Sequence, residues 1–325
     1  MRHLKLLAAA AVSVAALVLL LRGVDRDALL QAWTPLTSGG VLLELAFLAA
    51  GYALRIVRWW WMLAASLPSL RVRDCATPFL AGIALNNVLP LRAGDAVRAF
   101  GFASRLRLPM ATVAGSVLLE RLLDLAALLA VFVAGAALLA EGRLPAGVLQ
   151  GALWLSAAAA LVLLALAFAV PRWAAGRVDA EGGWRARARS VLAQLVDSFR
   201  LLRSGRDLGV LVALTALVWA LEGAAFVVVA AELAPQVPAV AGWFTMATGT
   251  LATLLPSTPG YVGTFDYFTA LALRAFEVAP PAAAAFALCI HALLWVPVTV
   301  VGLSLLALHG GRRALAARGP GEVAA

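Results

Sequence analysis

The chain has 325 residues, of which 63% are hydrophobic and 13% charged, and a mean hydropathy of +0.94. An ordinary globular chain is near half apolar and a quarter charged, so the composition excludes a soluble protein. The net charge of +9 fits either nucleic acid or anionic lipid, and the placement of the arginines decides between them.

Apolar stretches long enough to span a bilayer occur at residues 4–21, 40–64, 109–140, 144–170, 208–231 and 281–308. The first follows a short basic start and resembles a signal peptide. It lacks a small-residue cleavage site before Arg22, so it is expected to remain as an uncleaved first span. Two further apolar stretches, 77–91 and 241–255, are too short to cross comfortably, and each stops at a Leu-Pro followed by a glycine-containing turn. Their length predicts re-entrant segments.

Lysine and arginine concentrate in alternate connections. Nineteen lie in 1–5, 66–76, 92–107, 171–207 and 310–325, whereas 22–38, 141–145 and 232–240 hold only Arg22, Arg26 and Arg143. The positive-inside rule then puts both termini in the cytoplasm of a multi-pass plasma-membrane protein. It also assigns the basic charge to the membrane surface and not to nucleic acid. Basic loops on both sides of 77–91 make that segment enter and leave from the cytoplasm. For the C-terminus to finish inside, 241–255 must go in from outside, with 261–276 as the return.

Leu89-Pro90-Leu-Arg-Ala-Gly94 and Leu255-Pro256-Ser-Thr-Pro-Gly260 share Leu-Pro with a glycine four residues after the proline, at an offset of 166. The spans beginning at Gly40 and Leu208 sit at nearly the same offset. The expected fold is therefore all-α, with about six transmembrane helices and two re-entrant hairpins in two inverted repeats. The first repeat is 1–140, with hairpin 77–107. The second is 141–325, with hairpin 241–276 and a basic connector at 171–207. Inverted repeats are a plan of secondary transporters, whose sites lie near the midplane at broken helices. In the connector, Ala188, Val191, Leu195, Phe199 and Leu202 recur at helical spacing opposite Arg189, Gln194, Asp197, Arg200 and Arg203. This pattern suits an amphipathic helix on anionic inner-leaflet lipid, or a solvated tether.

Charges inside spans are expensive and are functional candidates. Glu44 and Arg55 are close to three helical turns apart, with Arg58 one turn further, so they share a stripe. Arg55 and Arg58, followed by Trp59, Trp60 and Trp61, also fit a snorkelling interfacial anchor. Glu120 and Asp124 share a face beside Arg121; a structural ion network is the other reading. The first hairpin supplies Asn86, Asn87, Arg92, Asp95 and Arg98 around its break, and arginine forks with unwound backbone suit a phosphate ester. Pro90, Gly94, Pro256, Pro259, Gly260 and Gly263 are the expected helix-breaking positions, the last four preceding Asp266. Glu222 and Glu232 read as structural or interfacial, and His291 as a satisfied packing histidine rather than a proton relay. Asp266, Glu44 and Glu222 are the acids through which protons could couple. Cys75 and Cys289 lie far apart with no metal-ligand spacing, so neither a disulfide framework, a metal site nor a cofactor is expected.

The runs Asn86-Asn-Val-Leu-Pro90-Leu-Arg92-Ala-Gly94-Asp95-Ala-Val-Arg98, Glu120-Arg121-Leu-Leu-Asp124 and Pro259-Gly260-Tyr-Val-Gly263-Thr-Phe-Asp266 resemble the lysylphosphatidylglycerol synthase transmembrane (flippase-like) family over nearly the whole chain. The family's motifs usually read Pro-Gly-Arg-x-Gly-Glu-x-x-Arg, with a second Gly-Gly and a Glu in the last. Here Leu91 and Tyr261 stand for glycines, and Asp95 and Asp266 for glutamates. The resemblance implies movement of an aminoacylated or other anionic phospholipid between leaflets. Other relatives imply a glycolipid or polyprenyl-linked lipid. No soluble synthase domain fits in the loops, so a stand-alone protein is expected. In that reading Arg92, Arg98 and Arg121 grip phosphate, while Asp95, Glu120 and Asp124 orient them or bind a cationic headgroup. The rival functions are a membrane-embedded lipid-modifying transferase related to phosphatidylglycerol lysyltransferase, with Glu120 or Asp124 as base, and a scaffold that recruits a cytoplasmic lipid synthase through 171–207.

Overall fold

The computed structural model describes residues 2–139, 147–169, 184–255 and 257–317, and among these every regular element is helical. Four helices are long and apolar enough to cross a bilayer: α3 (Ser38–Ala64), α8 (Val148–Leu164, extended by a π-turn over Ala165–Ala169), α10 (Gly205–Leu233) and α13 (Pro280–Ala317, apolar to Leu308). The first and third expected spans are also helices. α1 (Arg2–Leu21) has 20 residues, and α7 (Met110–Ala137) has 28 but carries Glu120, Arg121 and Asp124 in its middle. A rise of about 1.5 Å per residue makes α3, α7 and α10 roughly 40 Å long, more than the ~30 Å hydrocarbon core. A multi-pass membrane protein follows.

α3 and α10 run antiparallel. At one end Glu232 accepts from the Thr37 backbone N–H at 3.0 Å and from its hydroxyl, tying the N-cap of α3 to the end of α10. At the other, the Trp61 indole donates to Asp207 at 3.3 Å. The short helix α2 (Arg26–Ala32) precedes α3, and Trp33 just after it donates to the Ala285 carbonyl of α13 at 2.7 Å.

Both broken segments fold back on themselves. α4 (Val72–Val88) ends at Leu89, which is extended, and a 3₁₀ turn over Pro90–Arg92 leads into α5 (Ala93–Ala96), a π-turn (Val97–Gly101) and α6 (Ala103–Leu106). The return arm lies against α4 so closely that a Cβ on Gly94 would stand 2.0 Å from the Gly82 carbonyl oxygen. In the second hairpin α11 (Ala239–Ala252) and α12 (Thr264–Arg274) pack together across a 3₁₀ turn at Pro259–Tyr261. Gly260 and Gly263 have φ of 72° and 87°, which L-residues with side chains rarely adopt. Pro256, expected to help break this helix, lies outside the described residues.

The two halves are interleaved. α4 packs on α13, the last helix of the second half, and α11 packs on α7, the last span of the first. α1 lies against α12, with Ser13 Oγ accepting from the Thr258 backbone at 2.9 Å.

Of the connector, 171–183 lies outside the described residues. The rest forms α9 (Trp184–Asp197) and a 3₁₀ stretch over Ser198–Arg203. Its apolar side departs from the expected lipid contact: Val196, Phe199 and Leu201 are buried with Met62, Leu119, Leu123 and Leu211. Leu195 packs its carbonyl against Gly115 of α7, where a Cβ would stand only 1.8 Å away. Ala188 and Val191 remain exposed.

Candidate functional site

Three helical elements bring the buried charges together. On α7, Glu120 and Asp124 occupy one face a turn apart. Arg98 of the π-turn reaches Glu120 at 3.1 Å, and Arg58 of α3 reaches Asp124 at 2.7 Å. Both arginine side chains are fully buried. Arg58 also donates to Thr215 of α10 at 2.9 Å, and the Trp219 indole donates to Asp124 at 3.2 Å. The buried Arg98 guanidinium lies against an adjoining pair of rings, Trp59 and Phe79, each 4.8 Å away, which supplies cation–π attraction. Arg58 therefore points inward to an acid and does not snorkel.

Arg121 turns away from its helical neighbours toward the hairpin. Its Nε and Nη2 donate to the two oxygens of Asp95 at 3.0 and 2.8 Å, a bidentate fork. Glu120 and Asp124 stand 3.8 and 3.9 Å from Nη1. Asp95 is in turn held by Asn86: the Asn86 amide donates to its carboxylate at 3.0 Å, and the Asp95 backbone N–H donates to the Asn86 side-chain oxygen at 3.0 Å. Gly94 makes this possible, since its bare Cα lets α5 approach α4 within reach of that reciprocal pair. The Arg121 side chain is 30% exposed, against 17% for Asp95 and 10% for Asp124. It is the most exposed of the paired side chains in the cluster.

Arg55 of α3 pairs with Glu222 of α10 at 2.5 Å and lies over the Trp219 ring at 5.0 Å. Arg55, Arg58, Arg98 and Arg121 thus face Glu222, Asp124, Glu120 and Asp95, four charges of each sign. Glu222, read as structural from the sequence, belongs to this set.

The hairpin tips meet beside it. Arg92, in the left-handed region with φ 52°, donates to the Thr253 hydroxyl at 2.7 Å and stacks on Tyr261 at 5.5 Å. Asn87 donates to Thr299 of α13 at 2.8 Å, and its carbonyl lies against Gly260. Tyr261, standing for a family glycine, keeps a left-handed backbone with φ 61°. Asp266 is fully buried and is not among the Arg121 cluster's partners. It accepts from the Gly263 N–H at 2.8 Å and meets His291 Nδ1 at 2.7 Å, while His291 Nε2 lies 2.8 Å from the Gly260 carbonyl. His291, expected as a packing histidine, has both ring nitrogens occupied and is the clasp of the second tip; its partners were not foreseen from the sequence. The available signal was a lone imidazole in an apolar span opposite an acid set just after a glycine break.

Helices that cross a membrane, two hairpins broken at glycine and proline, and an arginine–carboxylate network at the break define an all-α multi-pass membrane protein with a polar centre. The chain belongs to the family described as lysylphosphatidylglycerol synthase TM region, whose model matches residues 6–302. No curated protein matches it with significance.

Proposed function

We propose that this protein is a flippase-like transporter that carries a phospholipid headgroup between leaflets, with Arg121 and Asp95 as the contact site. The observation that carries the reading is the bidentate Arg121–Asp95 pair, part-exposed at the edge of a charge-balanced buried network where two broken helices meet. A lipid phosphate can replace Asp95 on the Arg121 fork. If the headgroup also carries an ammonium, the freed Asp95 regains a cation, and no unpaired carboxylate is left in a low-dielectric site. Balance therefore favours an aminoacylated phospholipid over a plainly anionic or glycosyl one. Arg58 and Arg98, fully buried and ion-paired, hold α3, the hairpin and α7 in register, and Arg92 latches one tip to the other.

The reciprocal packing, α4 on the last helix of the second half and α11 on the last span of the first, supports two inverted repeats. Alternating access then rocks one repeat against the other and parts the tips at Arg92–Thr253 and Asn87–Gly260. The arginine distribution supports a plasma-membrane protein with both termini in the cytoplasm, and the exposed Ala188–Val191 side of α9 a contact with anionic inner-leaflet lipid.

The test is reconstitution in liposomes with fluorescent aminoacylated, anionic and glycosylated lipids, with sidedness read by a membrane-impermeant quencher. Faster exchange of the aminoacylated lipid than in protein-free liposomes is the expected result. Equal exchange for every lipid, with and without protein, would overturn the proposal.

A further inference from the structure

Glu44 stands apart from the other buried acids. Glu120, Asp124 and Asp266 each have a cationic or donor partner, whereas Glu44 is fully buried and neither of its carboxylate oxygens has a hydrogen-bond partner. Among the described residues, the ionisable groups near enough to feel its charge are Glu222 of α10, Cys289 of α13 and Tyr52 two turns along α3. None is a cation. Glu232 of α10 is occupied by Thr37, and Arg55, which could compensate it, is committed to Glu222. The charged groups of α7 meet α3 at the far Arg58 end, and α4 likewise packs there, Phe79 against Trp59. An ionised carboxylate without donors is the costliest group to bury in a membrane helix, and a protonated one is far cheaper. A metal cation would need several ligating side chains converging on it, and among the described residues no such group of three or more is found. The ligand that fits is a proton.

We propose that Glu44 is a proton-binding site, loaded in the conformation described here, and that its release is coupled to lipid movement; the second clause rests on the transport reading above. The structure supplies the route. Deprotonation places a new negative charge near Glu222 and competes for Arg55. Arg55 Nη1 already lies 3.5 Å from the Cβ position of Gly51, one turn toward Glu44, and buried Leu48 fills the next turn, so Glu44 acts on Arg55 through charge and not through contact. Arg55 leaves the face of Trp219, and the Trp219 indole is a donor to Asp124, the acid of the Arg58 pair beside Arg121. Charge at Glu44 is thereby transmitted to the headgroup site.

Two readouts of the site need no transport. N,N′-dicyclohexylcarbodiimide, which reacts with protonated carboxyls in apolar surroundings, should modify Glu44 in the full-length protein in bilayers, with the adduct located by mass spectrometry. It should spare ion-paired Glu120 and Asp124. Glu44→Gln, an isostere of the neutral acid, should fold normally. Wild type should lose thermal stability relative to Glu44→Gln as pH rises from about 5 to about 9, because the unfolded acid releases its proton first and the folded one retains it. An unmodified Glu44 together with a pH-independent stability difference would overturn the site. For coupling, an imposed pH gradient should accelerate lipid exchange by wild type and leave Glu44→Gln at one rate with or without it; a gradient response in Glu44→Gln equal to wild type would overturn coupling. If wild type moves no lipid at all, the transport reading fails, while labelling and stability still judge the proton site.

Discussion

Gly94→Ala tests how the site is built. The added Cβ would lie 2.0 Å from the Gly82 carbonyl oxygen and 2.5 Å from the Asn86 backbone nitrogen, where ordinary contact begins at 3.4 Å. Both neighbours are backbone, so no side chain can rotate away and α4 and α5 must part by about 1.4 Å. A shift of that size breaks the two 3.0 Å hydrogen bonds between Asn86 and Asp95 and draws Asp95 off the Arg121 fork. Overpacking costs about 1–3 kcal/mol and each lost hydrogen bond about 1 kcal/mol, so roughly 3–5 kcal/mol is expected in all. Gly151→Ala is the control: it sits inside α8 with nothing within 4 Å of its Cβ position, and should gain up to about 1 kcal/mol from helix propensity. Unfolding in detergent, followed by tryptophan fluorescence, measures both. A Gly94→Ala protein within about 1 kcal/mol of wild type would refute the close-approach argument and, with it, the derivation of the Asp95 position.

Three more substitutions probe other parts of the account. Arg58→Ala leaves Asp124 buried with the Trp219 indole and the more distant Arg121 guanidinium, at a cost of about 3–5 kcal/mol, whereas Arg58→Met with Asp124→Leu should recover most of the folded yield in detergent extracts. His291→Ala removes the groups that hold the Asp266 carboxylate and the Gly260 carbonyl, for a loss of about 2–4 kcal/mol, and should speed maleimide labelling of a Thr258→Cys reporter near the tip. Tyr261→Gly relieves the left-handed backbone by about 1–2 kcal/mol and forfeits about 0.5–1 kcal/mol of Arg92 stacking, so its unfolding midpoint should stay near wild type. Tyr261→Val keeps the strain, loses the stacking and should unfold earlier.

The elements were legible where local physics decides them. The apolar runs were long enough to dictate spans, and Pro90, Pro259, Gly260 and Gly263 fall where the helices break, whereas Gly94, expected as a breaker, lies inside α5 and serves close approach to α4. Glu120 and Asp124 were visible as one face because i,i+4 spacing is a property of the helix alone. Their partners were not. Arg121 is adjacent in sequence to Glu120 yet commits its fork to Asp95, while Arg98 and Arg58 arrive from other elements. That choice is set by how closely α5 approaches α4, which one small residue controls. The connector shows a similar limit. An apolar stripe fits lipid and protein alike, and only Gly115, opposite the Leu195 carbonyl, marks that α9 settles on α7. The His291 clasp joins residues 25 apart across two helices, beyond any local pattern.

The most direct test of the central claim is the exchange rate of a labelled aminoacylated phospholipid in liposomes carrying equal amounts of folded wild type, Arg121→Ala or Arg26→Ala, the last altering an exposed residue of α2 remote from the cluster. A charge-assisted contact of about 1.5–3 kcal/mol predicts a fall of roughly tenfold or more for Arg121→Ala. Arg26→Ala should match wild type. Equal rates for all three would contradict the assignment of Arg121 as the cation that receives the headgroup.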